Sequence, residues 1–326
     1  MTIPSNIIPI SGHDQVVSFA VAKVNMPADR VHEYRSRVGA LRDRLEAKID
    51  ADPSYALVRA LFCGSLAKGT ALRITSDFDM AVYLKPDRVP ADERQLAAWL
   101  IERLKEARPN LADDQFQRQD HCVRILYRDG RKVDVVPVLD AGDGTGDGDL
   151  IHKNTGIRVR TNVRKQLEFI RLRKSRCPVH YRQVIRLVKW WVHEMKATNP
   201  DFKFKSYLTE LICARLLDDG IEMIDYPEAL AAFFSYIVES GLRRPVIFED
   251  YYRRSAVPAN AHGIMTVIDP VNPSNNIVGQ YTDGDRGAIV AAARAALDAL
   301  DEAAFAAGNG QAAAAWRDVL GTGFQG

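Results

Sequence analysis

The chain has 326 residues, 47% of them apolar and 26% charged, and its 44 Lys and Arg against 42 Asp and Glu leave a formal net charge of +2. That length suits one bilobal unit or two domains with a large core, and near-balanced charge argues against wholesale coating of nucleic acid. No apolar run reaches membrane-spanning length, no signal-peptide pattern opens the chain, and Cys63, Cys122, Cys177 and Cys213 lack the paired spacing of a zinc or disulfide framework. A soluble, cytoplasmic protein with no membrane partner is expected.

In chain order, residues 29–49 place Val31, Val38, Leu41, Leu45 and Ile49 at helical intervals behind Pro27 and Asp29, which predicts a long first helix. Residues 55–62, from Tyr55 to Phe62, suit helix or strand equally, and Gly64 and Ser65 end them sharply. A glycine turn of this kind offers backbone N–H groups and a hydroxyl to a phosphate chain, although an ordinary turn is the plain alternative. Asp77 and Asp79 open the apolar run 80–84, read as a buried strand. Residues i and i+2 of a strand share a face, so both carboxylates point one way and Phe78 the other. Two carboxylates held that close repel unless a cation lies between them, and hard oxygen ligands beside a phosphate site suit Mg²⁺.

Residues 123–127 and 132–139 read as strands joined by a hairpin at Asp129-Gly130. Asp134 falls mid-strand among apolar neighbours, where a charge is costly unless it is paired or bound to metal. It supplies the third carboxylate that two-metal phosphoryl transfer uses, with an exposed edge-strand Asp as the bland alternative. Residues 140–149 form an acidic, glycine-rich loop, read as flexible because the spacing lacks the closing Glu of a calcium loop.

Between Arg158 and Arg176 the sequence carries eight basic residues against the single acid Glu168. Such a stripe is ordinarily a solvated face, and binding of nucleic acid is the functional alternative. Helical patterns dominate after Arg158. Arg182, Arg186, Lys189 and His193 share one helix face, while Val184, Val188, Trp191, Val192 and Met195 take the core face. Tyr207 beside Ser206 is read either as a core tyrosine or as a ring that stacks on a base whose edge the hydroxyl reads. An alanine-rich helix is expected from about residue 286 to 307, capped by Gly308. His121, His180 and His262 have no zinc spacing.

Taken together, Gly64-Ser65-x-x-Lys68-Gly69-Thr70-x-Leu72-Arg73-x-x-Ser76-Asp77-x-Asp79 with the later Asp134 resembles the 2′-5′ oligoadenylate synthetases and the bacterial cyclic GMP-AMP synthase-like nucleotidyltransferases, the CD-NTases. The run 185–191 resembles the family helix whose lysine, here Lys189, holds donor phosphates. The run 205–211 resembles the segment whose Ser206 and Tyr207 meet the donor base, and 269–277 is similar to the family's late Asp-Pro…Pro-x-Asn-Asn turn. These matches follow family order from Gly64 to Asn276.

The resemblance implies an α+β, bilobal, polymerase-β-like fold: a mixed-sheet palm with a long N-terminal spine helix over residues 1–155, and a helical lobe over residues 156–326. It implies a catalytic and metal-binding set of Asp77, Asp79 and Asp134, and a nucleotide-binding set of Gly64, Ser65, Lys189, Ser206 and Tyr207. Two Mg²⁺ ions, replaceable by Mn²⁺, would serve as cofactors. The expected activity joins NTPs, ATP above all, into a cyclic oligonucleotide second messenger of antiphage (CBASS) defence, with cyclic tri-AMP as a product of relatives controlled by a HORMA-domain partner. Three other readings stay open: a linear 2′-5′ oligoadenylate synthetase activated by nucleic acid, a small-molecule adenylyltransferase, and a noncatalytic nucleotide-binding regulator.

Overall fold

The computed structural model describes residues 12–51, 56–75, 77–151 and 155–325. Tyr55 and Ser76 of the segments above, and the side chain of Ile49, lie outside the described residues. The chain divides into two compact units, residues 26–168 and residues 1–25 with 169–326.

The first described element is α1 (His13–Phe19), which widens into a π-helical turn at Ala20–Val24. The long helix expected from the 29–49 pattern is α2 (Ala28–Ala51), and its Tyr34, Val38, Leu41 and Leu45 are buried in the core of the 26–168 unit. The ambiguous run that follows is a strand, β1 (Leu57–Cys63), because it pairs antiparallel with the next strand, a tertiary choice that periodicity does not carry. A single-turn helix, α3 (Gly64–Lys68), leads to β2 (Asp77–Leu84), whose Phe78 packs on Tyr34 at 3.7 Å between ring centroids. Next come α4 (Leu96–Ala107), β3 (Phe116–Arg118), β4 (Val123–Leu126) and β5 (Lys132–Asp140). The Asp129-Gly130 hairpin forms as expected: Gly130 has φ 79°, and Tyr127 N–H donates to the Arg131 carbonyl.

β5 organises this unit. One edge runs parallel to β2; along the other edge its first half pairs with β4 and its last residues with β6 (Gly148–Ile151), which in turn pairs with β7 (Arg158–Thr161). Seven strands form one mixed sheet with the path β1-β2-β5-β4-β3.

Two expectations need correction here. Residues 141–147 are a tied turn rather than a slack loop. Asp140 and Asp143 accept backbone N–H groups two residues on, and Asp147 accepts from Asn162, Arg160 and Lys165. The helical pattern also starts later than Arg158, because 158–161 is strand and α5 (Val163–Arg176) follows it.

The other unit contains α6 (His180–Thr198), α7 (Ser206–Asp218), α8 (Tyr226–Ser240), the short hairpin β8 (Ile268–Asp269) and β9 (Asn272–Asn276), α9 (Asp283–Ala304) and α10 (Asn309–Leu320). Trp191 of α6 sits fully buried against Phe202, Phe204 and Phe234, so the apolar face read for this helix is the core face. α9 starts three residues before the expected Arg286 because Thr282 and Asp285 form a capping box, and it stops before Gly308. Gly308 instead precedes the first turn of α10. No helix among the described residues is long and apolar enough to cross a membrane.

Candidate active site

One rung of the sheet gathers most of the singled-out chemistry. Cys63 of β1 stands opposite Asp79 of β2, Asp79 opposite Asp134 of β5, and Asp134 opposite Arg124 of β4. Asp77 lies two residues before Asp79 on the same face, opposite Lys132. The alternation of β2 therefore sends Phe78 into the core and both carboxylates to the other side, as the spacing predicts.

The cluster holds its negative charge under strain. Burial raises the Asp79 carboxyl to about 6, Asp134 and Asp77 push the same way, and Lys68 and Arg124 oppose them. Burial likewise lifts the Cys122 thiol to about 12 and the Cys63 thiol higher still, with Asp134 and Asp79 respectively adding to the rise, so neither is a nucleophile at neutral pH. Asp134 is held differently: Arg124 Nε donates to Oδ1 and Nη2 to Oδ2, each at 2.8 Å. Arg124 Nη2 also lies 3.5 Å from Asp77 Oδ2, and Lys132 Nζ lies 3.6 Å from Asp77 Oδ1.

Gly64 follows β1 with φ +64°, a conformation side chains disfavour. A Cβ placed there would lie 1.8 Å from Asp79 Oδ2, so only glycine lets the turn approach the carboxylate. The turn is fixed by Thr70 N–H donating to the Ser65 carbonyl at 2.8 Å, and it brings Gly64 against Asp79.

The remaining predicted residues lie in the other unit. Lys189 of α6 is buried and bonded to Glu210 of α7 at 2.6 Å, so it is not a member of a solvated basic face. Ser206 is the exposed first residue of α7. The Tyr207 hydroxyl lies 3.4 Å from Asp269 Oδ1, and burial pushes its phenol well up. Asp269, itself buried, also accepts from Val271 N–H and the Asn275 amide, which explains the late Asp-Pro…Asn-Asn turn as a hydrogen-bonded hub.

The basic residues between Arg158 and Arg176 are largely matched by acids. Arg158 pairs with Glu93, Arg160 and Lys165 with Asp147, Arg173 with Asp218 and Asp250, and Arg176 with Asp218. That pairing neutralises much of the charge a nucleic-acid face would need.

Sequence reasoning passed over Arg124 and Glu210. The Arg124 signal was present: counting back from the Asp129-Gly130 turn sets 124 opposite 134. Glu210 had no signal, since its partner lies on another helix.

A mixed sheet carrying a glycine turn beside three same-face carboxylates is the geometry of a nucleotidyltransferase palm. Residues 12–149 match the family described as the Second Messenger Oligonucleotide or Dinucleotide Synthetase domain. Over 315 residues the chain is 41% identical to the cyclic AMP-AMP-AMP synthase of Escherichia coli MS 115-1, spanning 96% of this chain and 98% of that protein. It is 29% identical over 308 residues to the CBASS oligonucleotide cyclase CdnC of E. coli KTE188, spanning 93% and 94%. Two solved structures of E. coli MS115-1 CdnC, one with ATP and one in complex with HORMA-deltaN, superpose with TM-scores of 0.91 at 41% and 40% identity, covering 97% of this chain and 99% of theirs. The chain belongs to the bacterial CD-NTase family, nucleotidyltransferases that synthesise cyclic oligonucleotides.

Proposed function

We propose that this enzyme joins ATP into a cyclic oligonucleotide, cyclic tri-AMP, within an antiphage (CBASS) system and under the control of a HORMA-domain protein. The observation that carries the reading is the end-to-end similarity to the cyclic AMP-AMP-AMP synthase, together with the rung that sets Asp79 beside Asp134. The solved relatives support the ligand and the partner, one containing ATP and the other HORMA-deltaN.

The carboxylates suit divalent cations by donor type and shared face, while their side chains as they stand do not converge into a three-ligand metal site among the described residues, both Asp134 oxygens being held by Arg124. The donors are hard oxygens on one face, and burial, with Asp134 and Asp77 adding to it, raises the Asp79 carboxyl, a cost to its charged form that a bound cation would relieve. Asp77, Asp79 and Asp134 would hold two Mg²⁺, or Mn²⁺ in its place. Bound there, the ions supply Lewis acidity to the attacking ribose hydroxyl and to the departing pyrophosphate.

The chain's own groups do the rest. Asp134 accepts the proton of the acceptor hydroxyl. The backbone N–H groups of the Gly64 turn and the Ser65 hydroxyl hold donor phosphates, and the close approach of Gly64 to Asp79 fixes where those phosphates meet the carboxylates. By resemblance, Lys189, here paired with Glu210, is assigned to the donor phosphates, and Tyr207 and Ser206 to the donor base. The test is incubation of the full chain with α-labelled ATP and Mg²⁺, with and without its HORMA-domain partner. A phosphatase-resistant product with the mass of three linked AMP units is expected. Phosphatase-sensitive oligomers would instead make the enzyme a linear synthetase.

A further inference from the structure

We propose that Arg124 is a positioning residue that grips Asp134 by both carboxylate oxygens and must release it for divalent cations to be bound there. The inference rests on the reading of Asp77, Asp79 and Asp134 as cation ligands.

Three observations carry it. The contact is a two-point fork, with Nε on Oδ1 and Nη2 on Oδ2 at 2.8 Å each, so both Asp134 oxygens are engaged. A cation approaching Asp134 competes for those same oxygens, and charge-assisted forks of this kind are among the stronger hydrogen-bonded pairs. The same guanidinium reaches Asp77 Oδ2 at 3.5 Å, so one positive group spans two of the three carboxylates. Finally, β4 and β5 are joined by a tight hairpin that sets residue 124 opposite residue 134, so the grip is built into the register.

Lys132 provides the internal contrast. It offers Asp77 a point charge at 3.6 Å without a fork, whereas the planar guanidinium of Arg124 matches the carboxylate at both ends. Arg124 thus substitutes for cation charge until the ions arrive, and their positive charge then repels it from the cluster. The Arg124 side chain is 23% exposed, which leaves it an outward path. Release returns Asp134 to the ions and to the acceptor hydroxyl.

The test is Mn²⁺ affinity of the full chain without nucleotide, read from free Mn²⁺ by electron paramagnetic resonance. Wild type is compared with Arg124→Lys, Arg124→Met and Asp134→Asn, each checked for native circular dichroism. Arg124→Met should bind Mn²⁺ roughly tenfold more tightly, the worth of one charged hydrogen bond removed from the competition. Arg124→Lys should also bind more tightly than wild type, because an ammonium keeps the charge but cannot span both oxygens. A Lys variant matching wild type beside a tighter Met variant would reduce the effect to bulk charge and overturn the grip. Unchanged or weaker affinity in both would overturn it as well. Asp134→Asn separates the two readings: if it loses Mn²⁺ while the Arg124 variants gain none, the grip alone fails; if it binds as wild type does, the cation assignment itself fails.

Discussion

Gly64 and Asp79 meet so closely that a single methyl on the glycine would overlap the carboxylate, its carbon 1.8 Å from Oδ2. The turn and the strand are therefore one functional part. Gly64→Ala should lower product formation by at least about a hundredfold, because the substitution both strains φ +64° and displaces Asp79. The φ strain of ~1–2 kcal/mol and the clash with Asp79 both destabilise the fold, so the melting temperature should also fall, and activity is compared at a temperature where both proteins are folded. Near-wild-type turnover in this variant would mean that the turn is not coupled to the carboxylates.

Lys189 and Glu210 form an ion pair with side chains 6% and 4% exposed. Removing either partner strands a buried charge. Glu210→Gln should destabilise the protein by ~3 kcal/mol in denaturant unfolding, and the double variant Lys189→Met with Glu210→Leu should recover most of that loss. Additive losses in the double variant would show that the two do not act as a pair. On activity, Glu210→Gln should raise the KM for ATP more than it lowers kcat, since Lys189 is assigned to donor binding.

Asp147 ties down the glycine-rich turn through Asn162, Lys165 and Arg160. Burial pushes its carboxyl up, but the bonds from Asn162 and Lys165 and the neighbouring cationic charge outweigh it and hold the group below the ordinary carboxylate range. A depressed folded pKa contributes stability above the unfolded value, near ~4, and that contribution is lost as pH falls through the folded value. Asp147→Asn should therefore cost ~1 kcal/mol at pH 7, the smallness reflecting partial exposure, with the gap to wild type closing below pH ~4. A gap independent of pH would remove the charge from the explanation.

What the sequence disclosed follows how local each signal is. The α2 helix, the Asp129-Gly130 hairpin and the shared face of Asp77 and Asp79 depend on neighbours within a few residues, and all three appear where periodicity and turn chemistry put them. The strand state of β1 depends on its antiparallel pairing with β2, and the alignment of Asp79 with Asp134 on the parallel pairing of β2 with the distant β5, neither of which a local pattern encodes. The β6–β7 hairpin was missed because its Arg-rich second strand resembles a solvated helix face until its acidic partners, Glu93, Asp147 and Asp149, are seen. The helix of Lys189 is legible in the pattern, but its buried partner Glu210 is not, because that carboxylate comes from α7.

Nucleotidyl transfer is assigned to Asp77, Asp79 and Asp134. The most direct measurement is pyrophosphate release and cyclic product from ATP by wild type and by Asp77→Asn, Asp79→Asn and Asp134→Asn, each with Mg²⁺ and the HORMA-domain partner present. Wild type should give a phosphatase-resistant product and every variant a loss of at least about a thousandfold, with Asp79→Asn melting no lower than wild type because burial and repulsion no longer act on a charge there. Wild-type turnover in any one of the three would contradict the assignment.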